Sequence, residues 1–160
     1  MDFYDDDTQV LDQDYKRRLL SNKSETEMLE LALVNEQSYE NFSRKYAKNI
    51  SKRSFVTVLR KLMVERNLEV SRLMRRTGFS KSYVYQLLNG ERNPSRDTVI
   101  SIAIALSCSL EESNELLKVS EKQVLYAKNK RDSILIYSIS HSYSVEETNR
   151  LLEKNEMQLL

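Results

Sequence analysis

Gly78-Phe79-Ser80-Lys81-Ser82-Tyr83-Val84-Tyr85-Gln86-Leu87-Leu88-Asn89-Gly90-Glu91-Arg92-Asn93-Pro94-Ser95 is the stretch that decides how this 160-residue chain is read. Gly78 can take the left-handed backbone that stops one helix, and Ser80 can cap the start of the next. In that next helix Val84, Leu87 and Leu88 fall on one side, at the spacing that buries a stripe. With 3.6 residues per turn, Ser82, Gln86 and Asn89 point the opposite way, and Lys81, Tyr83 and Tyr85 lie on the flanks. Gly90 ends the helix and Pro94 follows shortly after. The spacing therefore predicts a short helix over 81–89, buried on one face, with small polar side chains on the other.

Working outward, the same pattern extends on both sides. Ser54 caps an earlier helix that turns Phe55, Val58, Leu59, Leu62 and Met63 inward, and a second helix over about 69–77 buries Val70, Leu73 and Met74. Two helices, a Gly-apolar-Ser turn, the 81–89 helix, Asn-Gly, a basic Arg-Asn-Pro-Ser and two further helices follow one another from Phe55 to Val119. That combination resembles the phage-repressor-type helix-turn-helix family, Cro-like and of the xenobiotic-response-element type. The resemblance implies a five-helix domain that places the 81–89 helix in a DNA major groove. It implies that Lys81, Ser82 and Gln86 read base edges, and that Asn89, Arg92 and Asn93 hold phosphates. Tyr85 lies close enough to read a base edge at a thymine methyl or to touch a phosphate, and Ser71 is a further candidate for a phosphate. Gln suits a bidentate contact with adenine and Lys suits guanine. The chain departs from the family at one point. Where the family usually carries a phosphate-touching Gln, near the start of the second helix, Val70 stands here, with Ser71 beside it.

Charge is segregated along the chain in the same sense. The whole chain carries +1, yet residues 44–96 hold 14 basic groups against Glu65, Glu69 and Glu91, a net of +11. Residues 1–43 carry −7 and residues 97–160 carry −3. A segment this basic around the 81–89 helix is the footprint expected of a phosphate-binding surface.

Two glycines and one proline leave few breakers, so helices are expected to dominate and the fold class to be all-α. No apolar run approaches the roughly 18 residues that would span a membrane. The start, Met-Asp-Phe-Tyr-Asp-Asp-Asp, lacks the basic and apolar regions of a signal peptide, and a cytoplasmic location is expected. Cys108, the only cysteine, reads as a small core residue.

The domains expected are an acidic segment over 1–23, a helical extension over 24–53, the helix-turn-helix domain over 54–120, and a C-terminal helix pair over 121–160. In the first of these a short helix is placed around Val10–Leu20. In the second, Ser24 to Glu27 resemble a capping box ahead of a helix over 25–34, and another helix is placed over 39–48. The last segment contains an internal repeat. Residues 96–125 align with 131–160 at a constant offset of 35 without a gap, and 13 of the 30 pairs are identical. Ser109 and Ser144 stand as caps before paired acids in each copy, where the helix dipole favours them. The period is that of a stacking helix pair, with the second copy adding a layer. The apolar helices over 99–106 and 134–139 are expected to be buried, either within the monomer or across a dimer.

Catalytic chemistry finds no support. One histidine and one cysteine cannot make a zinc set, no phosphate loop or serine elbow occurs, and neither a metal nor another cofactor is expected. His141, opposite Leu106 in the repeat, reads as a partly buried structural residue. The leading expectation is a transcriptional regulator that binds double-stranded DNA as a homodimer. The alternative is a protein-interaction module, an antitoxin or an adaptor for a signalling enzyme, with a partner docking on the N-terminal segment or the C-terminal repeat.

Overall fold

A computed structural model describes residues 25–47 and 53–160, and every regular element among them is a helix. The chain divides into two units, Met1–Lys52 and Arg53–Leu160. The helix expected around Val10–Leu20 and the cap expected at Ser24 lie outside the described residues.

The first unit contributes α1 (Glu25–Asn35) and α2 (Tyr39–Tyr46). Ser38 caps α2 by accepting from the Asn41 N–H at 3.2 Å. Phe42 is buried against the rings of Tyr39 and Tyr46, whose centres lie 6.2 and 5.0 Å from its own. Met28, Leu33 and Val34 of α1 stay exposed.

The second unit begins with α3 (Phe55–Glu65), α4 (Val70–Thr77) and α5 (Lys81–Leu88). Ser54 caps α3 and Ser80 caps α5, each accepting from an N–H three residues on at 3.2 Å. The α3 helix closes through Asn67, whose left-handed φ of 47° lets the Leu68 N–H reach the Met63 carbonyl at 2.9 Å. Gly78 closes α4 in the same hand, with φ of 77° and its N–H on the Met74 carbonyl. Leu59, Leu73, Val84 and Leu87 meet in one core, the apolar stripes of three short helices that none could bury alone. Glu69 and Asn89, read as helical, are the residues flanking α4 and α5.

Next come α6 (Arg96–Ala105) and α7 (Leu110–Val119), then α8 (Lys130–Ser140) and α9 (Val145–Lys154). The α6 helix is central. Every residue from Thr98 to Leu106 is buried, with α4 on one side and α7 on another. Cys108 is buried beside it, and desolvation pushes its thiol up to about 12, so it packs as an unreactive small apolar group.

The two repeat copies share their local bonding position by position. Ser109 with Glu112, and Ser144 with Glu147, form complete capping boxes. Ser107 and Ser142 turn the chain with φ of 54° and 55°, and Glu121 and Glu156 with φ of 55° and 57°. The Asn114 side-chain oxygen accepts from the Leu125 N–H, and that of Asn149 from the Leu160 N–H. Six of the thirteen identical pairs in the alignment are thus caps, turns and anchors that build one helix pair twice.

Two sequence readings need correction. The α8 helix is not buried as α6 is: Leu135, Ser138 and Ile139 face inward, while Tyr137 is 45 % exposed. Among the described residues no helix lies on α8 as α4 lies on α6, so Ile134 and Ile136 are only partly buried and Tyr137 is left open. His141 is exposed rather than partly buried, with its ring stacked 3.9 Å from that of Tyr137 and its Nδ1 2.8 Å from the Tyr137 carbonyl oxygen.

Candidate nucleic-acid interface

The outward face of α5 is set by what the helix buries and by how its two ends are held. Val84, Leu87 and Leu88 are buried, which leaves Lys81, Ser82 and Tyr85 exposed and Gln86 half-buried. At the C-terminal end, where backbone carbonyls lack helical partners, Arg60 of α3 reaches across and donates to the Leu88 carbonyl through Nε at 3.1 Å and Nη2 at 2.8 Å. This cationic clamp matches the negative end of the helix dipole.

Tyr83 is not a free flanking residue. Its ring meets Phe79 edge-on at 5.2 Å, lies 5.6 Å beneath the Arg92 guanidinium, and its hydroxyl pairs with Thr98 at 3.0 Å. It therefore ties the start of α6 and the loop after α5 to the α5 helix itself. Neither Arg60 nor Tyr83 could be assigned these roles from the sequence, because their partners lie 28 and 15 residues away and follow no helical period.

Each residue expected at the interface can now be placed. Lys81 puts its ammonium 6.0 Å from the centre of the Tyr85 ring. Arg92 donates to the Gln86 side-chain oxygen at 3.5 Å, so one base-reading and one phosphate-holding candidate are brought together. Asn89 is exposed and donates to Glu91 at 3.5 Å, and Asn93 is exposed. Ser71 is exposed at the first turn of α4 and shares with Val70, Arg60, Tyr85 and Leu88 a groove of about 670 Å³. Arg72 and Arg75 are exposed on α4, whereas Arg76 is engaged with the Ala105 carbonyl at the end of α6.

Residues 58–118 match the family model of the Cro/C1-type helix-turn-helix DNA-binding domain. That segment is similar to Cro/C1-type domains. It runs from the first turn of α3 to the last turn of α7, so it covers the helices of the first repeat copy and leaves out the second copy. No curated protein and no solved structure matches the chain. In this segment α4 and α5 are the paired helices on either side of the Gly78 turn. Among the described residues, no helix is long and apolar enough to cross a membrane.

The ion pairs of the domain lie away from the α5 face. Arg66 donates to Glu112 at 2.6 Å, joining α3 to α7, and that hydrogen bond holds the Glu112 carboxyl below its ordinary range. Arg53 donates to Glu115 at 3.0 Å on the same side. Glu112 and Glu115 of α7 are thus paired with Arg66 and Arg53 and not with the exposed cations of α4 and α5.

Proposed function

We propose that the chain is a sequence-specific regulator that binds duplex DNA with α5 in the major groove. The observation that carries this reading is the α5 face. It is small and polar, held from both ends, and set in a segment of net charge +11 and in a stretch similar to Cro/C1-type domains. Ser82 and Gln86 point away from the buried stripe, and Lys81 and Tyr85 flank them. Lys81, Ser82, Tyr85 and Gln86 read base edges. Ser71, Asn89, Arg92 and Asn93 hold the phosphates at the two rims, where contacts fix register without carrying sequence information.

The test is a titration of duplex DNA at two salt concentrations. Phosphate contacts release condensed counterions, so affinity should fall by orders of magnitude between roughly 50 and 200 mM salt if six or more phosphates are neutralised. A flat response would remove the DNA-binding reading and leave the +11 segment as a surface for acidic protein.

A further inference from the structure

The two repeat copies are joined by an exchange. Arg96 of the first copy donates to both carboxylate oxygens of Asp132 in the second, at 2.9 and 2.8 Å. Arg131 of the second copy donates to both carboxylate oxygens of Asp97 in the first, at 2.9 and 3.1 Å. Both arginines also grip their own copy identically. Arg96 donates to the carbonyls of Gln123 and Val124, and Arg131 to those of Gln158 and Leu159, at 2.9 and 3.2 Å in each case. The helices cross in the same reciprocal way, α6 against α9 and α7 against α8.

A stacked array cannot produce this. In a stack, the step that carries copy one to copy two would carry the Arg96–Asp132 bond to a bond between Arg131 and a third copy. Here the second arginine points back. Residue i of one copy meets residue j of the other, and j meets i, which is the signature of a two-fold axis. The copies are therefore arranged as two subunits of a symmetric dimer, inside one chain.

Only one of these two halves carries α3, α4 and α5. The matching segment, 58–118, takes in α6 and nearly all of α7 of the first copy, and the second copy lies beyond it. We propose that residues 131–160 act as a built-in partner subunit. They occupy, in cis, the α6–α7 face on which a second copy of this chain would dock with two-fold symmetry. The paired unit then presents a single α5 to DNA. Resting on the DNA-binding reading above, the target is an asymmetric site read by one α5, not a palindrome. A homodimer, as expected from the sequence, would have to form through some other surface.

Two experiments test this on the full chain. The first asks whether the exchange is made within a chain. Asp97→Arg and Arg131→Asp each place like charges opposite one another, and each should lower the unfolding midpoint by roughly 5–10 °C. Both substitutions in one chain should recover part of that loss, the rest reflecting the Gln158 and Leu159 carbonyls that Arg131 no longer holds. An equimolar mixture of the two single variants should recover none. Recovery in the mixture, or no recovery in the doubly substituted chain, would overturn the internal pairing.

The second experiment uses the wild-type chain and stands whatever the variants do. Sequences are selected from a pool of random duplexes about 30 base pairs long, and the enriched motif is read for symmetry. One asymmetric motif is expected. A palindrome with half-sites about one helical turn apart would overturn the single-site inference. Failure to enrich any motif would sink the DNA-binding reading together with the single-site inference, and the charge-exchange result would still decide the internal pairing.

Discussion

Arg92 donates to the side-chain oxygen of Gln86 at 3.5 Å, so a residue suited to phosphate and one suited to a base share a hydrogen bond in the free protein. Gln needs both its oxygen and its amide to address adenine, and Arg92 holds the oxygen. Engaging DNA would move Arg92 to a phosphate and release it. Gln86→Ala should then cost about 1–3 kcal/mol on the best site and relax preference at one base pair. Arg92→Ala should weaken binding to all sequences alike and make the salt slope shallower. Because the two side chains touch, the double variant should depart from additivity by about 0.5 kcal/mol or more. Additive losses in a full double-mutant cycle would show that the contact has no bearing on binding.

The Arg60 clamp gives a stability prediction. Losing a charged donor to the Leu88 carbonyl should cost about 1–2 kcal/mol, so Arg60→Met should lower the unfolding midpoint by roughly 4–8 °C. Lys61, one residue on, makes only an exposed pair with Glu65 at 3.7 Å. Lys61→Met should change stability by less than about 0.5 kcal/mol. Equal effects measured by thermal unfolding would deny the clamp any special role.

Ser138 is fully buried on α8, and its hydroxyl finds no hydrogen-bond partner among the described residues. The matching residue in the first copy is Ala103. Ser138→Ala removes a stranded polar atom without opening a large cavity and should stabilise the protein by about 1 kcal/mol. A fall in the unfolding midpoint would mean that the hydroxyl is satisfied by bound water.

Acid should loosen the second unit in a defined window. The Arg66 hydrogen bond holds the Glu112 carboxyl below its ordinary value. Burial pushes the Asp132 carboxyl up, but the Arg96 guanidinium and the Tyr126 backbone N–H outweigh it, leaving it below its ordinary value too. Carboxylates depressed in the folded state bind fewer protons there than in the unfolded chain. Their contribution is present in full above the ordinary carboxylate range, about 4, and is lost as pH falls through the depressed values. Stability followed by denaturant unfolding should hold level from roughly pH 7 to 5 and decline below about 4. Asp132→Asn should be less stable near neutrality and flatten part of that decline.

Much of the second unit was legible because its signals are local. Ser54, Ser80, Ser109 and Ser144 cap helices through an N–H three residues away, and Gly78 turns left-handed one residue past α4. The 35-residue offset predicted two like helix pairs, and the shared caps, turns and asparagine anchors follow it. A misreading arose where a local pattern was asked to report a distant neighbour. The apolar 134–139 segment looks like 99–106, yet only α6 has α4 against it.

The amino-acid sequence by itself determined where helices start and stop, which stripe of each is apolar, and that one helix pair is written twice. These follow from the 3.6-residue period and from bonds that reach three to five residues. Only the tertiary structure decided that the copies face one another rather than stack, that Arg60 closes α5, and that Arg92 rests on Gln86. Two like copies are equally compatible with a translation or a two-fold rotation. The choice is made by which side chains meet across 34 and 36 residues of chain, in the Arg131–Asp97 and Arg96–Asp132 pairs.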